Sequence, residues 1–281
     1  MVGWNQRNKT ENKQVVLPQR KPTCLPGSLS WIPILIVWIF IWQCAYWVVG
    51  KDLLLASPLQ VIRTLFREAV QLEFWLTTAY SILRIQAGFI LGIIIGSLLA
   101  VLTVRITWLD RFFHPLISTI RATPIASFII LALVWMTHDR VVVFIVFLMV
   151  LPIVWGNVSE GIRKTDSQLL EMAKVFRLRK RELIRAVYLP SIAPFFTVAA
   201  TTSLGLGWKA GIAAEVLSRP SFSLGGRLYD SKIYLETAEL LAYTAVVIVL
   251  SILLERLLQI LFRWTERYFR MQWMTHGKTG D

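Results

Sequence analysis

Six apolar runs, at 31–50, 85–104, 112–137, 141–159, 186–208 and 238–258, alternate with polar segments along this chain of 281 residues. Each is close to the roughly 20 residues that a helix needs to cross a bilayer core of about 30 Å. The pattern predicts an all-α membrane protein with six transmembrane helices. The 85–104 run is free of charge and carries Gly88, Gly92 and Gly96 at intervals of four, so small residues share one face and predict a close helix neighbour. Arg121 and Pro124 interrupt the third run, and Pro190 and Pro194 lie in the fifth.

The polar segments have patterns of their own. Residues 1–30 form a basic tail with Pro18, Pro22, Pro26 and Gly27, and lack the short apolar core and small-residue cleavage site of a removed signal peptide. Segment 51–75 is amphipathic, with Val61, Leu65, Phe66 and Ala69 on one side and Arg63, Arg67 and Glu68 on the other, which predicts an interfacial helix outside the membrane. Loop 160–185 is the largest of the loops expected on the cytoplasmic side. Thr165 and Gln168 have capping-box spacing, and Asp166 and Ser167 favour a helix start. Leu169, Met172, Ala173 and Phe176 follow at helical spacing, then a basic corner from Arg177 to Arg181, then Leu183, Ile184 and Val187 leading into Leu189-Pro190. The pattern is a short helix, a turn, and a second helix returning to the membrane. Beyond the fifth run, Lys209, Glu215, Pro220, Gly225 and Gly226 mark polar surroundings, and residues 263–281 form a second tail.

Composition narrows the class. At 56% hydrophobic and 17% charged residues, neither a soluble surface nor a disordered chain can be made. Cys24 and Cys44, with the scattered His114, His138 and His276, suit neither a disulfide framework nor a metal cluster, so no metal ligands are expected. The net charge of +13 sits in loops between apolar runs rather than on one soluble face, which argues against a nucleic-acid partner. With the N-terminus inside, 19 Lys and Arg fall on cytoplasmic segments and 7 on outer ones, so the positive-inside rule places both termini in the cytoplasm.

The residues also resemble a known family. Glu171-Met172-Ala173, Arg177 and Val187-Tyr188-Leu189-Pro190 resemble the cytoplasmic EAA loop of binding-protein-dependent ABC importer permeases. Two positions depart: Met172 replaces the first Ala, and Arg177 stands where Gly permits a tight turn. The likeness continues through Ser81-Ile82-Leu83-Arg84 with Gly88, through Arg121-Ala122-Thr123-Pro124, and through Trp208 to Glu215 with Leu224-Gly225-Gly226, which is similar to the nitrate, sulfonate and bicarbonate branch. It covers a permease core of 76–262. The resemblance implies a type I importer permease fold, with a coupling helix in loop 160–185 that docks on a partner ATPase through Leu169, Glu171, Met172, Ala173, Phe176, Arg177, Leu189 and Pro190. It further implies a homodimer in a bacterial cytoplasmic membrane, two ATPase subunits and an extracytoplasmic solute-binding protein. The chain contains no phosphate-binding G-x-x-x-x-G-K-[ST] loop, so ATP and its hydrolysis belong to the partner, and this subunit is expected to bind no cofactor and to be no enzyme.

Charges inside spans are costly and point to function by default. Two roles suit Arg121: a contact for an anion on the translocation pathway, or an anchor that snorkels to headgroups or pairs within the bundle. Pro124, Trp208, Lys209 and Glu215 are further pathway candidates, each with a structural alternative. Lys209 and Glu215 are six apart and do not share a helical face. Glu255 and Arg256 read as an interfacial pair without a transport role. The leading function is a permease that translocates a small anion; the alternative, a transporter driven by an ion gradient, would need buried carboxylates and an internal repeat.

Overall fold

The computed structural model describes the backbone of residues 31–276 and the side chains of 33–264. The predicted tail 1–30, with Cys24, lies outside the described residues, as do residues 277–281. The remainder is helical, in the order the apolar runs predict.

Helix α1 (Trp31–Val49) is apolar on every side. The chain then enters α2 (Pro58–Ala69) through a capping box: Gln60 N donates to Ser57 Oγ at 3.2 Å and Ser57 N donates to Gln60 Oε1 at 2.8 Å. Pro58 sits in the first turn, where its missing N–H costs nothing. The Trp42 indole of α1 donates to the Ala56 carbonyl at 3.1 Å and ties α1 to the approach to α2. The predicted faces of α2 need one correction. Phe66 is exposed and Glu68 is buried, because the Tyr243 hydroxyl reaches in to Glu68 Oε2 at 3.4 Å and gives the carboxylate a partner.

Helix α3 (Leu72–Arg105) begins well before the charge-free run, and its 34 residues extend to about 51 Å, beyond a bilayer core. The third predicted crossing is not one helix. It divides into α4 (Thr107–Ala122) and α5 (Ile125–Trp135), bent by 106°. Pro124 causes the break: it has no N–H to continue the ladder, and it drives Thr123 to extended angles of φ −83° and ψ 131°. Helix α6 (His138–Arg163) is the most enclosed of the long helices. A short α7 (Ser167–Val175) and a single turn α8 (Lys180–Leu183) make the predicted helix–turn–helix, and a π-turn at Ile184–Tyr188 feeds into α9 (Leu189–Ser218). Asp166, not Thr165, caps α7: Gln168 N donates to its Oδ1 at 2.8 Å, while the Thr165 hydroxyl turns back to the Gly161 carbonyl. Helix α9 runs on past Trp208 to Ser218, so Lys209 and Glu215 belong to the helix and not to a polar re-entry. Helices α10 (Leu224–Ile233) and α11 (Thr237–His276) complete the chain.

Among the described residues, α3, α6, α8–α9 and α11 are long and apolar enough to cross a membrane, four helices, or five where the bent α4–α5 pair is counted as one broken span rather than a re-entrant loop. Helix α1, predicted as the first crossing, is apolar but short: its fully described part is Pro33–Val49. The centre of the fold is the trio α3, α6 and α9. Gly88, Gly92 and Gly96 of α3 face Val146, Val150 and Val154 of α6, as their spacing predicts, and a Cβ at Gly92 would lie 2.6 Å from the Val150 Cβ. Gly207 and Gly211 of α9 meet Val150, Val146 and Ile85 in the same way. Backbones approach closely where side chains are absent, which is the membrane route to helix packing.

Candidate functional site: a basic cavity beside α9 and the α7 knuckle

Two features carry candidate chemistry, and they lie on different parts of the fold. The first is the α7 knuckle. Leu169, Met172 and Phe176 are 39%, 50% and 71% exposed, an apolar stripe without cover, and Glu171, Leu189 and Pro190 are exposed as well. Ala173 departs from the expected contact set: it is 5% exposed. Leu178 N donates to the Ala173 carbonyl at 3.0 Å and Arg177 N to the Lys174 carbonyl at 3.0 Å, the two bonds of a Schellman closure that folds the chain back over Ala173. Arg177 holds the left-handed position of this motif, with φ 50°. The tight turn that the family makes with Gly is therefore made here with Arg, and the two helices remain separate.

The second feature is a cavity of about 540 Å³ lined by α4, the elbow, α5, α6 and α9. Arg121, from the last turn of α4, and Lys209, from α9, both line it, and Thr123 and Ile125 bring the elbow at Pro124 to its wall. The rest of the lining is apolar apart from backbone, with Ile129, Met149 and Leu206 among it, and no carboxylate is present in it. Arg121 Nη2 donates to the Pro152 carbonyl at 2.6 Å. Among the described residues Lys209 has no ion pair. A cavity lined by two exposed cations and no acid is attractive to an anion.

Trp208 and Glu215 point elsewhere. They lie on the opposite side of α9, 1% and 0% exposed, and do not line the cavity. The Trp208 indole donates to the Val247 carbonyl of α11 at 3.1 Å. Glu215 accepts from Ser81 Oγ at 2.8 Å, from Gly225 N at 3.1 Å and from Arg84 Nη1 at 3.4 Å. Arg84 also reaches the carbonyls of Ser221 and Phe222 and pairs with Asp139 Oδ1 at 2.7 Å. Gly225 packs so closely on the Glu215 Cβ that a side chain there would overlap it. This node joins α3, α6, α9 and α10, and neighbouring helices close off both Trp208 and Glu215, which the sequence offered as pathway candidates. Three sequence segments that share the resemblance, at Ser81–Arg84, Glu215 and Gly225, thus meet at one point.

Three features near the cavity were not legible in the sequence. Gly156 leaves room for the Arg121 guanidinium, Pro152 supplies its acceptor, and Glu255 rests against Gly205 rather than pairing with Arg256. A glycine in an apolar run gives no signal of what it makes room for.

Residues 88–270 match the family described as binding-protein-dependent transport system inner membrane component. The chain belongs to this family. The permease is 26% identical over 195 residues to the bicarbonate transport system permease protein CmpB of Synechococcus elongatus, covering 69% of this chain and 70% of that one. It is 24% identical over 211 residues to the nitrate import permease protein NrtB of the same species, covering 71% and 74%. It is 29% identical over 239 residues to SsuC of Escherichia coli, named for aliphatic sulfonates transport, covering 84% and 88%. In fold it is similar to a chain in the crystal structure of an amino acid ABC transporter with histidines, with a TM-score of 0.52 and 17% identity, covering 67% of this permease and 93% of that chain. The type I importer permease architecture and a multi-pass membrane protein follow.

Proposed function

We propose that this permease is the membrane-spanning subunit of an ATP-driven importer for a small anion of the nitrate, sulfonate or bicarbonate kind. The observation that carries the anion reading is the convergence of Arg121 and Lys209 on one acid-free cavity. The names of the relatives supply the chemical class. Two copies form the pathway, an extracytoplasmic binding protein delivers the solute, and ATP is bound and hydrolysed on two partner subunits, with no cofactor on this chain. The exposed stripe Leu169–Met172–Phe176 docks in an ATPase groove, with Glu171 and Arg177 at its margins. Closure of the ATPases moves the docked knuckle, and the attached α9 carries that motion to the cavity wall. The excess of Lys and Arg on the α7 side supports a bacterial cytoplasmic membrane with both termini inside.

The test is uptake of nitrate, bicarbonate or methanesulfonate by proteoliposomes holding the permease, its ATPase and its binding protein. Lys209→Gln and Arg121→Gln are expected to abolish uptake of the transported anion while ATPase association persists. Full uptake in both variants would remove the anion pathway from this cavity.

A further inference from the structure

Lys209 lines two crevices at once. On one side it joins Arg121 at the cavity described above. On the other it lines a crevice of about 340 Å³ with Thr201, Thr202, Gly205, Leu206 and Glu255. Glu255 projects from α11 onto the surface of α9, where its Oε1 lies 2.6 Å from the position a Cβ on Gly205 would take. Only glycine at 205 admits the carboxylate so close to the helix. Gly205 and Lys209 are one turn apart, on the same face. The acid therefore sits a single helical turn from the Lys209 backbone, in the crevice that the Lys209 side chain also lines. Among the described residues neither Lys209 nor Glu255 has an ion pair, and Glu255 does not pair with adjacent Arg256.

An unpaired ammonium inside a span is costly, and a lysine on a flexible four-carbon stem can turn to whichever side offers negative charge. Glu255 is the acid that shares a crevice with it. We propose, resting on the anion-pathway reading, that Glu255 is the resting counter-ion of Lys209: it holds the ammonium while the pathway is empty and yields it to the transported anion. An entering oxyanion presents the same kind of charge to Lys209 from the Arg121 side, so carboxylate and anion compete for one cation. Glu255 then sets how strongly an anion must bind to claim the site, and a neutral solute cannot displace it.

Two measurements on the complete permease–ATPase complex test this. The first is a double-mutant cycle on thermal unfolding without added nitrate, using Lys209→Gln, Glu255→Gln and both together. The pair is expected to be coupled, with the double variant losing less stability than the sum of the single variants; strict additivity overturns the proposal. The second is stabilisation of the complex by nitrate. Glu255→Gln, and Gly205→Ala, which displaces the carboxylate without removing a charge, are expected to reach half-effect at roughly tenfold lower nitrate, because the competitor no longer holds Lys209. An unchanged midpoint in both overturns the competition. If the unsubstituted complex responds to none of nitrate, bicarbonate and methanesulfonate, the anion-pathway reading fails, while the cycle still decides the pairing.

Discussion

The Arg121 guanidinium occupies the space that a side chain at Gly156 would need, its Nη2 lying 2.8 Å from where that Cβ would be. With its bond to the Pro152 carbonyl, this seats the end of α4 against α6 at the elbow between α4 and α5. The cation is thereby fixed at the cavity wall rather than free to snorkel. Gly156→Val is expected to expel the guanidinium and to lower anion uptake roughly ten- to hundredfold, the worth of one charge-assisted hydrogen bond. Uptake by reconstituted transporter checks it; wild-type rates would detach Arg121 from the pathway.

Arg177 is strained by its left-handed backbone. Arg177→Gly keeps both closing bonds and relieves a conformation that costs an L-residue about 1–2 kcal/mol, offset by about 0.5–1 kcal/mol from the freer unfolded chain. The α7 turn is expected to gain up to about 1.5 kcal/mol, visible as slower hydrogen exchange at position 177 and Leu178 relative to the rest of the knuckle. Faster exchange there would contradict the Schellman geometry.

Phe176 is the most exposed member of the α7 stripe. If the stripe is the docking face, Phe176→Ser removes its largest apolar contact and is expected to weaken ATPase association by about 1–3 kcal/mol, read by co-purification at graded ATPase concentration. Glu171→Arg is expected to loosen the same association while leaving membrane insertion intact. Retention of the ATPase by both variants would move the docking surface elsewhere.

Glu215 is the buried hub that Ser81, Arg84 and Gly225 share. Glu215→Ala leaves Arg84 short of one partner and the Gly225 N–H without an acceptor, and is expected to cost about 3–5 kcal/mol. The check is thermal unfolding of the purified permease, where a shift near zero would deny the node its bracing role.

Much of this arrangement was legible in the chain. Apolar run length located the long helices α3, α6, α9 and α11, the spacing of Gly88, Gly92 and Gly96 predicted the face that meets α6, and the six-residue separation of Lys209 and Glu215 predicted that they look in different directions. Other features were not. Pro124 was visible, but a bend of 106° depends on what receives the two arms as well as on the missing N–H. The inward turn of Glu68 needed Tyr243, far away in sequence, and the separation of Trp208 from the cavity needed to know that α11 covers that side of α9. Local pattern gives period and capping; it does not say which neighbour covers a face. For the same reason Glu255 read as the mate of Arg256 beside it and not as the occupant of a notch at Gly205.

The decisive experiment is nitrate, bicarbonate and methanesulfonate uptake by proteoliposomes containing the permease, with ATP, the ATPase subunits and the binding protein each supplied or withheld. Uptake of one of these anions is expected only when all three are supplied, and is expected to vanish in Lys209→Gln. Uptake by the permease alone down an ion gradient, with ATP making no difference, would instead mark a transporter that needs no motor.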